Sequence, residues 1–195
     1  MPAPARCSVP DAPGLELLFA GINSEHPGAV LDTSFDREQA ALIVHPDHIR
    51  ELLTWLRDTD GQQYTFLASV HGADYLPAEP RFAVHYELLN RERYERLRVK
   101  ALLPDPAATS ADSEGDPAGD GLPHIDSVVD LFPTAEFQER EVYDFFGIVF
   151  DGHPDPRRIL MPEDYVGHPQ RRDFPIGGEP VIFTRDEVTN PGWWN

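Results

Sequence analysis

The sequence predicts an α+β fold, a two-layer domain with a mixed or mainly antiparallel sheet followed by a long extended C-terminal strap. Between residues 64 and 102, apolar and polar side chains alternate with the two-residue period of strands, and helical periodicity flanks this region. The last 49 residues hold seven prolines and six glycines and show neither period. We therefore divide the chain into an α+β domain, residues 1–146, and a docking strap, residues 147–195.

Length and charge limit the possible functions. A chain of 195 residues can bury one sizeable core. Its 16 basic and 34 acidic residues give a net charge of −18, which argues against binding nucleic acid. The longest apolar runs, residues 17–22 and 145–150, are six residues long, whereas a membrane-spanning helix needs roughly 20. We expect no direct membrane span and no secretory signal.

The first half of the domain predicts one strand and two helices. Residues 1–37 read as a loosely packed entry with a helix near residues 15–20. Residues 42–44 form a short β-prone run. Pro46 and Asp47 then favour a helix start, and the helix continues to about Asp58. Its apolar face is predicted to consist of Ile49, Leu52, Leu53 and Leu56.

Three further strands are predicted in succession. They cover residues 64–70, 81–89 and 94–102, with a hairpin turn at residues 90–93. In the last strand, Leu97, Val99 and Ala101 share one face. Arg96, Arg98 and Lys100 share the other, which we interpret, with Arg91 and Arg93, as a solvent-exposed basic face.

The second half of the domain contains an acidic loop and a helix. Residues 104–123 carry five acids and no cation and predict a flexible surface loop. Pro133 favours the start of a helix that runs to Phe146, where Gly147 is placed to end it. The strap that follows holds several aromatic residues, which favours docking on another chain over docking on its own domain.

No cofactor and no catalytic residue are expected in this chain. Cys7 is the single cysteine, which excludes a disulfide within the chain, a cysteine-ligated iron–sulfur cluster and a four-cysteine zinc site. Neither of the common glycine-rich phosphate-binding motifs is present.

Charged residues on the last predicted helix are candidates for internal pairing. Glu139 falls on the apolar stripe formed by Ala135, Val142 and Phe146. We favour a surface charge at a domain edge, and the alternative is an ion pair with a strap arginine, because a buried carboxylate needs a partner. Arg140 and Asp144 are four residues apart and predict a local ion pair.

The strap nearly repeats a phrase in which a Gly-His-Pro turn precedes two arginines. The copies are Gly152-His153-Pro154 with Arg157 and Arg158, and Gly167-His168-Pro169 with Arg171 and Arg172. Arginine can bind carboxylates through two hydrogen bonds, so these pairs predict contacts with the helix or a partner. A less favoured alternative is a zinc or iron site built from His153, His168, Asp155 and Asp173, in a stand-alone metallohydrolase.

About forty residues in this region resemble the signature of the thirty-kilodalton subunit family of proton-translocating NADH-quinone oxidoreductase, respiratory complex I, in which this subunit is lettered C. The residues that carry the resemblance are Glu139–Ile148, Gly152–Leu160, Pro162–Tyr165, Gly167–Pro169 and Arg171–Pro175. Pro156 and Tyr165 depart from the family, which more often shows an aliphatic residue and tryptophan there.

The resemblance implies a structural subunit of the peripheral arm, on the cytoplasmic side of the cell membrane. FMN and iron–sulfur clusters would lie on other subunits of the complex, which passes electrons from NADH to quinone and translocates protons. The partner along the strap would be the subunit lettered D, which helps to form the quinone site and which we call the quinone-site subunit. The implied partner-binding residues are Glu139, Arg140, Glu141, Asp144, Gly147, His153, Arg157, Arg158, Gly167, His168, Arg171, Arg172 and Asp173. A membrane-bound hydrogenase or an F420-dependent oxidoreductase contains a similar subunit and stays an alternative.

Overall fold

A computed structural model of the chain describes residues 12–37, 39–106 and 120–175. Its helices and strands confirm the predicted α+β class. The helices are α1 (Ala12–Glu25), α2 (Ile49–Asp58) and α3 (Ala135–Phe146), and a 3₁₀ turn at Pro46–His48 precedes α2. The strands are β1 (Val30–Asp36), β2 (Gln39–Val44), β3 (Phe66–Asp74), β4 (Phe82–Asn90), β5 (Glu95–Leu103), β6 (His124–Asp126) and β7 (Val149–Asp151).

Five strands form one mixed sheet in the order β1-β2-β5-β4-β3. Strands β2 and β5 pair in parallel, whereas the other neighbours are antiparallel. Between β2 and β5 the chain passes through α2, β3 and β4, and this long connection allows the parallel pairing. Strands β6 and β7 form a separate parallel pair that joins the start of the strap to the domain.

The core lies between the helices and one face of the sheet. The four α2 side chains predicted to face inward are all fully buried: Ile49, Leu52, Leu53 and Leu56. Leu97, Val99 and Ala101 of β5 belong to the same core, as the alternation predicts. Both periodic patterns are therefore confirmed.

Three strands are additions to the prediction. Strand β1 lies in the stretch interpreted as a loose entry, because only its first residue, Val30, is buried and no alternation marks it. Strands β6 and β7 are three residues each, too short for a period. The helix expected near residues 15–20 is confirmed and extends to Ala12–Glu25.

Some predictions fall on residues outside the described ranges. These are most of the acidic loop, at residues 107–119, the end of the strap, at residues 176–195, and the first eleven residues. In the described ranges, none of the helices has the length and apolar character needed to cross a membrane.

Candidate partner-binding surface

The carboxylate of Asp144, near the C-terminal end of α3, organises the middle of the strap. Its side chain is 0% exposed, and one oxygen, Oδ2, accepts hydrogen bonds from the backbone N–H groups of Ile159, Leu160 and Met161 at 3.1, 2.7 and 2.8 Å. The other oxygen, Oδ1, accepts from Arg158 Nη1 at 2.7 Å. Three consecutive backbone N–H groups therefore surround one carboxylate, which fixes the strap backbone here.

The environment of Asp144 favours its ionised form. Burial opposes ionisation, but the hydrogen bonds from Met161, Arg158, Leu160 and Ile159 outweigh burial and lower the pKa of Asp144. The Arg158 side chain is only 11% exposed and also donates from Nη2 to the carbonyl of Gly167 at 2.9 Å. Arg158 thus joins two separate turns of the strap to the helix.

The second Gly-His-Pro turn lies at the C-terminus of α3. His168 Nδ1 lies 3.1 Å from the carbonyl oxygen of Asp144, and Arg171 Nε donates to the carbonyl of Phe146 at 2.6 Å. The last carbonyls of a helix lack partners within the helix, so cationic and N–H groups stabilise this end. Gly147 ends α3 as predicted, with a φ of 67°. A Cβ at Gly147 would approach the His168 ring to 2.5 Å, which only glycine avoids.

Arg81, immediately before β4, ties the end of the described strap to the sheet. Its buried guanidinium forms ion pairs with three carboxylates, those of Asp74, Asp105 and Asp173, at 2.9, 2.8 and 2.7 Å. Asp74 also accepts from the backbone N–H of Arg172 at 2.9 Å. Burial opposes ionisation of Asp74, yet these bonds and that from Leu76 N–H lower its pKa to about 2. Sequence reasoning missed Arg81 and Asp74, because nothing in their spacing marks a pair.

Glu139 contradicts both sequence interpretations. It is fully buried rather than a surface charge, and its described partners do not include an arginine of the strap. Its Oε2 accepts from Ser127 Oγ at 2.6 Å and its Oε1 from the backbone N–H of Val128 at 2.8 Å. Burial, only partly offset by these bonds, raises the pKa of Glu139 to about 7. Glu139 therefore holds the loop after β6 against the helix.

The local Arg140–Asp144 pair is also wrong. Asp144 pairs with Arg158, whereas Arg140 Nη1 lies 3.2 Å from Asp155 Oδ2 and the same guanidinium donates to the carbonyls of Arg157 and Arg158. Arg157 pairs with Asp155 at 2.6 Å, but its side chain is 66% exposed. Long-range partners win here because the strap offers buried acceptors that a helix surface cannot.

The two histidines of the metal-site alternative bind backbone groups. His153 Nε2 lies 2.9 Å from the Glu136 carbonyl, and its Nδ1 accepts from the Asp155 N–H at 3.0 Å. His168 binds at the helix end as described above. Within residues 12–37, 39–106 and 120–175, no group of three His, Cys, Asp or Glu side chains is placed to hold a metal ion. The metallohydrolase alternative thus has no assembled ligand set in that part of the chain.

The strap turns fixed by Asp144 present apolar side chains outward. Ile159, Leu160 and Val166, which we call the apolar ridge, are 36%, 59% and 88% exposed. By contrast, the predicted partner-binding residues Asp144, Arg158, His168 and Arg171 point inward, and Glu141, Arg172 and Asp173 lie at the surface. Apolar side chains on a fixed backbone are typical of a protein-binding surface, because little entropy is lost on docking.

Comparison with known proteins places this architecture among respiratory complexes. The family model described as "Respiratory-chain NADH dehydrogenase, 30 Kd subunit" matches residues 42–180. The chain is 40% identical, over 94% of its length, to the NADH-quinone oxidoreductase subunit lettered C of Saccharopolyspora erythraea, and it covers 67% of that relative. Identity to the same subunit of Herpetosiphon aurantiacus is 44%, over 75% of this chain and 77% of the relative.

A solved structure has the same fold. It is a chain of the membrane-bound sulfane sulfur reductase, an archaeal respiratory membrane complex, with a TM-score of 0.62 and 25% identity. The alignment covers 83% of this chain and 85% of that one.

Proposed function

This chain belongs to the family of the 30 Kd subunit of respiratory-chain NADH dehydrogenase, and we propose that it is a structural, cofactorless subunit of an NADH-quinone oxidoreductase. In this proposal it lies in the peripheral arm, on the cytoplasmic side of the membrane. FMN and iron–sulfur clusters are carried by other subunits, which pass electrons from NADH to quinone while the complex translocates protons.

The observation that carries the proposal is the ordered apolar ridge. Four hydrogen bonds to the buried Asp144 hold the backbone beneath Ile159 and Leu160, and Arg158 connects this turn to Gly167, beside Val166. Buried charges thus fix a strap whose exposed side chains are apolar. This is the design of a docking element, in which affinity comes from a few apolar anchors.

We propose the quinone-site subunit of the same complex as the partner that covers the ridge. Leu160 and Val166 are the anchors, because they are the most exposed apolar side chains of the described strap. The inward-facing arginines contribute indirectly, by fixing the strap conformation that presents these anchors.

Co-purification with a tagged quinone-site subunit tests this assignment. Leu160→Asp and Val166→Asp should each weaken docking by about 30-fold or more, the effect of losing roughly 2 kcal/mol at an interface anchor. The matched control is Leu17→Asp, which places the same charge on an exposed leucine of α1, outside the strap. Each variant should keep the wild-type melting temperature. Wild-type recovery of the tagged partner with both ridge variants would refute the proposed surface.

A second candidate is the equivalent subunit of another respiratory membrane complex. The similarity to a chain of the sulfane sulfur reductase favours it, as does the alternative of a membrane-bound hydrogenase or F420-dependent oxidoreductase. Identity is 40% to the NADH-quinone oxidoreductase relative and 25% to the reductase chain, so the first proposal is better supported. Mass spectrometry of the native complex separates them, since only the first predicts an NADH-oxidising flavoprotein among the co-purified subunits.

A further inference from the structure

The sheet face opposite the helices carries a row of polar and basic side chains. Strand register makes His71 of β3, His85 of β4 and Lys100 of β5 successive cross-strand neighbours. Cross-strand neighbours point to the same side of a sheet. Arg98, two residues before Lys100, therefore lies on this face as well, next to Glu87. The helices pack on the other face, against residues such as Val84 and Val99.

A furrow of about 330 Å³ crosses this face. Strands β1, β2, β4 and β5 and the segment after β3 contribute to it, and its polar lining includes Arg37, Gln39, Tyr75, His85, Arg98 and Lys100. Arg98 is paired with Glu87 and also donates to Gln39, and Arg37 is paired with Asp36. Lys100 is thus left as the furrow cation without a carboxylate partner among the described residues.

Lys100 is the only lysine in the chain, beside fifteen arginines. Its ammonium lies 4.3 Å from the centroid of the Tyr75 ring, a cation–π contact that orients the charge without neutralising it. A lysine ammonium is a compact charge with three donors, which suits a carboxylate that approaches from solvent.

The floor of the furrow holds an unsatisfied polar group. His85 is 6% exposed, and its Nδ1 has no hydrogen-bond partner, while its Nε2 lies 3.1 Å from Tyr75 Oη. Burial, together with His71, Arg98 and Lys100, lowers the pKa of His85 to about 3. The imidazole is therefore neutral, and the positive character of the furrow comes from Lys100 and the arginines.

We infer that this furrow is a second docking site, which binds an acidic segment of a partner protein with a carboxylate on Lys100. Charge complementarity carries the inference, because the furrow presents an unneutralised cation in a chain of net charge −18. At physiological ionic strength the screening length is about 8 Å, so the local cations rather than the net charge act on a bound segment. The furrow and the apolar ridge share no residue, so the inference does not rest on the proposed function.

Binding of a fluorescent hexaglutamate peptide to the full chain tests the furrow directly. We expect Lys100→Glu to weaken binding at least fivefold. The matched control Arg91→Glu makes the same charge change on the β4–β5 hairpin, where Arg91 lies over the Phe66 ring and outside the furrow, and should change binding less than twofold. Absence of binding, equal losses in both variants, or displacement of the peptide by millimolar inorganic phosphate would overturn the acidic-segment assignment.

Carbodiimide cross-linking of the native complex identifies the occupant. This reagent joins a carboxylate and an amine in direct contact, and the single lysine makes the position of the amide unambiguous. We expect Lys100 linked to an Asp or Glu of another subunit, and loss of this product in Lys100→Arg, which keeps the charge. A product linking Lys100 only to acids of its own chain would contradict the inference. A complex that assembles without any Lys100 product would refute the furrow and leave the ridge proposal standing.

Discussion

Asp144 and Arg158 illustrate how burial decides what a charge contributes. An exposed ion pair gains little, because water screens both partners, whereas removal of one partner of a buried pair strands the other without solvation. The strap offers both cases side by side. Arg158 is nearly buried against Asp144, and its neighbour Arg157 is mostly exposed against Asp155.

We predict that Arg158→Ala destabilises the chain by about 3 to 5 kcal/mol, because it leaves the Asp144 carboxylate without its cation. Arg157→Ala is the matched control and should leave the free energy of unfolding close to the wild-type value, because water already solvates that pair. Urea unfolding of both variants measures the difference. Equal stability of the two variants would show that the Asp144 pair is exchanged for water in solution.

Glu139 makes a second residue-scale prediction, on pH dependence. Its folded pKa of about 7 exceeds the unfolded value of 4.5, so the folded state binds the proton more tightly. Its stabilising contribution is therefore complete below about pH 4.5 and declines as pH rises through 7. The change corresponds to about 3 kcal/mol at most.

Glu139→Gln should remove this part of the pH dependence while it keeps a hydrogen-bonding side chain at Ser127 and Val128. We expect the free energy of unfolding to fall less between pH 5 and pH 8 in the variant than in the wild type. Parallel profiles for the two proteins would mean that the carboxyl group titrates normally. Other titrating groups are common to both proteins and cancel in the comparison.

At the scale of elements, helix α3 shows what a sequence can and cannot predict. Its start near Pro133 and its end at Gly147 follow from local preferences, and both are confirmed. The partners of Glu139, Arg140 and Asp144 were mispredicted, since they come from residues up to 17 positions away whose approach depends on the path of the strap. Periodicity found α2, β4 and β5, whose faces differ in polarity, and missed β1, whose two faces are both largely exposed.

The α3 terminus gives a prediction with an internal control. Gly147 and Gly152 both have positive φ, 67° and 79°, so alanine is unfavourable at either. Only at Gly147 would the new Cβ meet another residue, at 2.5 Å from the His168 ring, whereas nothing lies within 4 Å at Gly152. Gly152→Ala should cost about 1 kcal/mol. Gly147→Ala should cost at least twice as much, as measured by thermal melts, and equal costs would mean that the His168 turn moves aside freely.

At the scale of the whole molecule, the strap is joined to the domain by three buried charged groups at different points. Glu139 holds the loop after β6, Asp144 holds the first strap turn, and Arg81 holds the segment that ends at residue 175. Each joins segments distant in sequence, so the strap and the sheet depend on one another. The predicted boundary at residue 146 therefore separates two patterns of sequence, while the described strap packs on its own domain.

Arg81 is the sharpest test of this dependence, because one guanidinium neutralises Asp74, Asp105 and Asp173. Arg81→Met keeps the apolar part of the side chain and leaves Asp74, which is buried, without its cation, so we expect a loss of about 3 to 5 kcal/mol. We also expect faster amide hydrogen exchange at Arg172, whose N–H binds Asp74. The control Arg50→Met removes a more exposed pair with Asp130 and should leave exchange at Arg172 unchanged. Unchanged exchange in Arg81→Met would mean that the Asp144 and Glu139 contacts alone hold the strap in place.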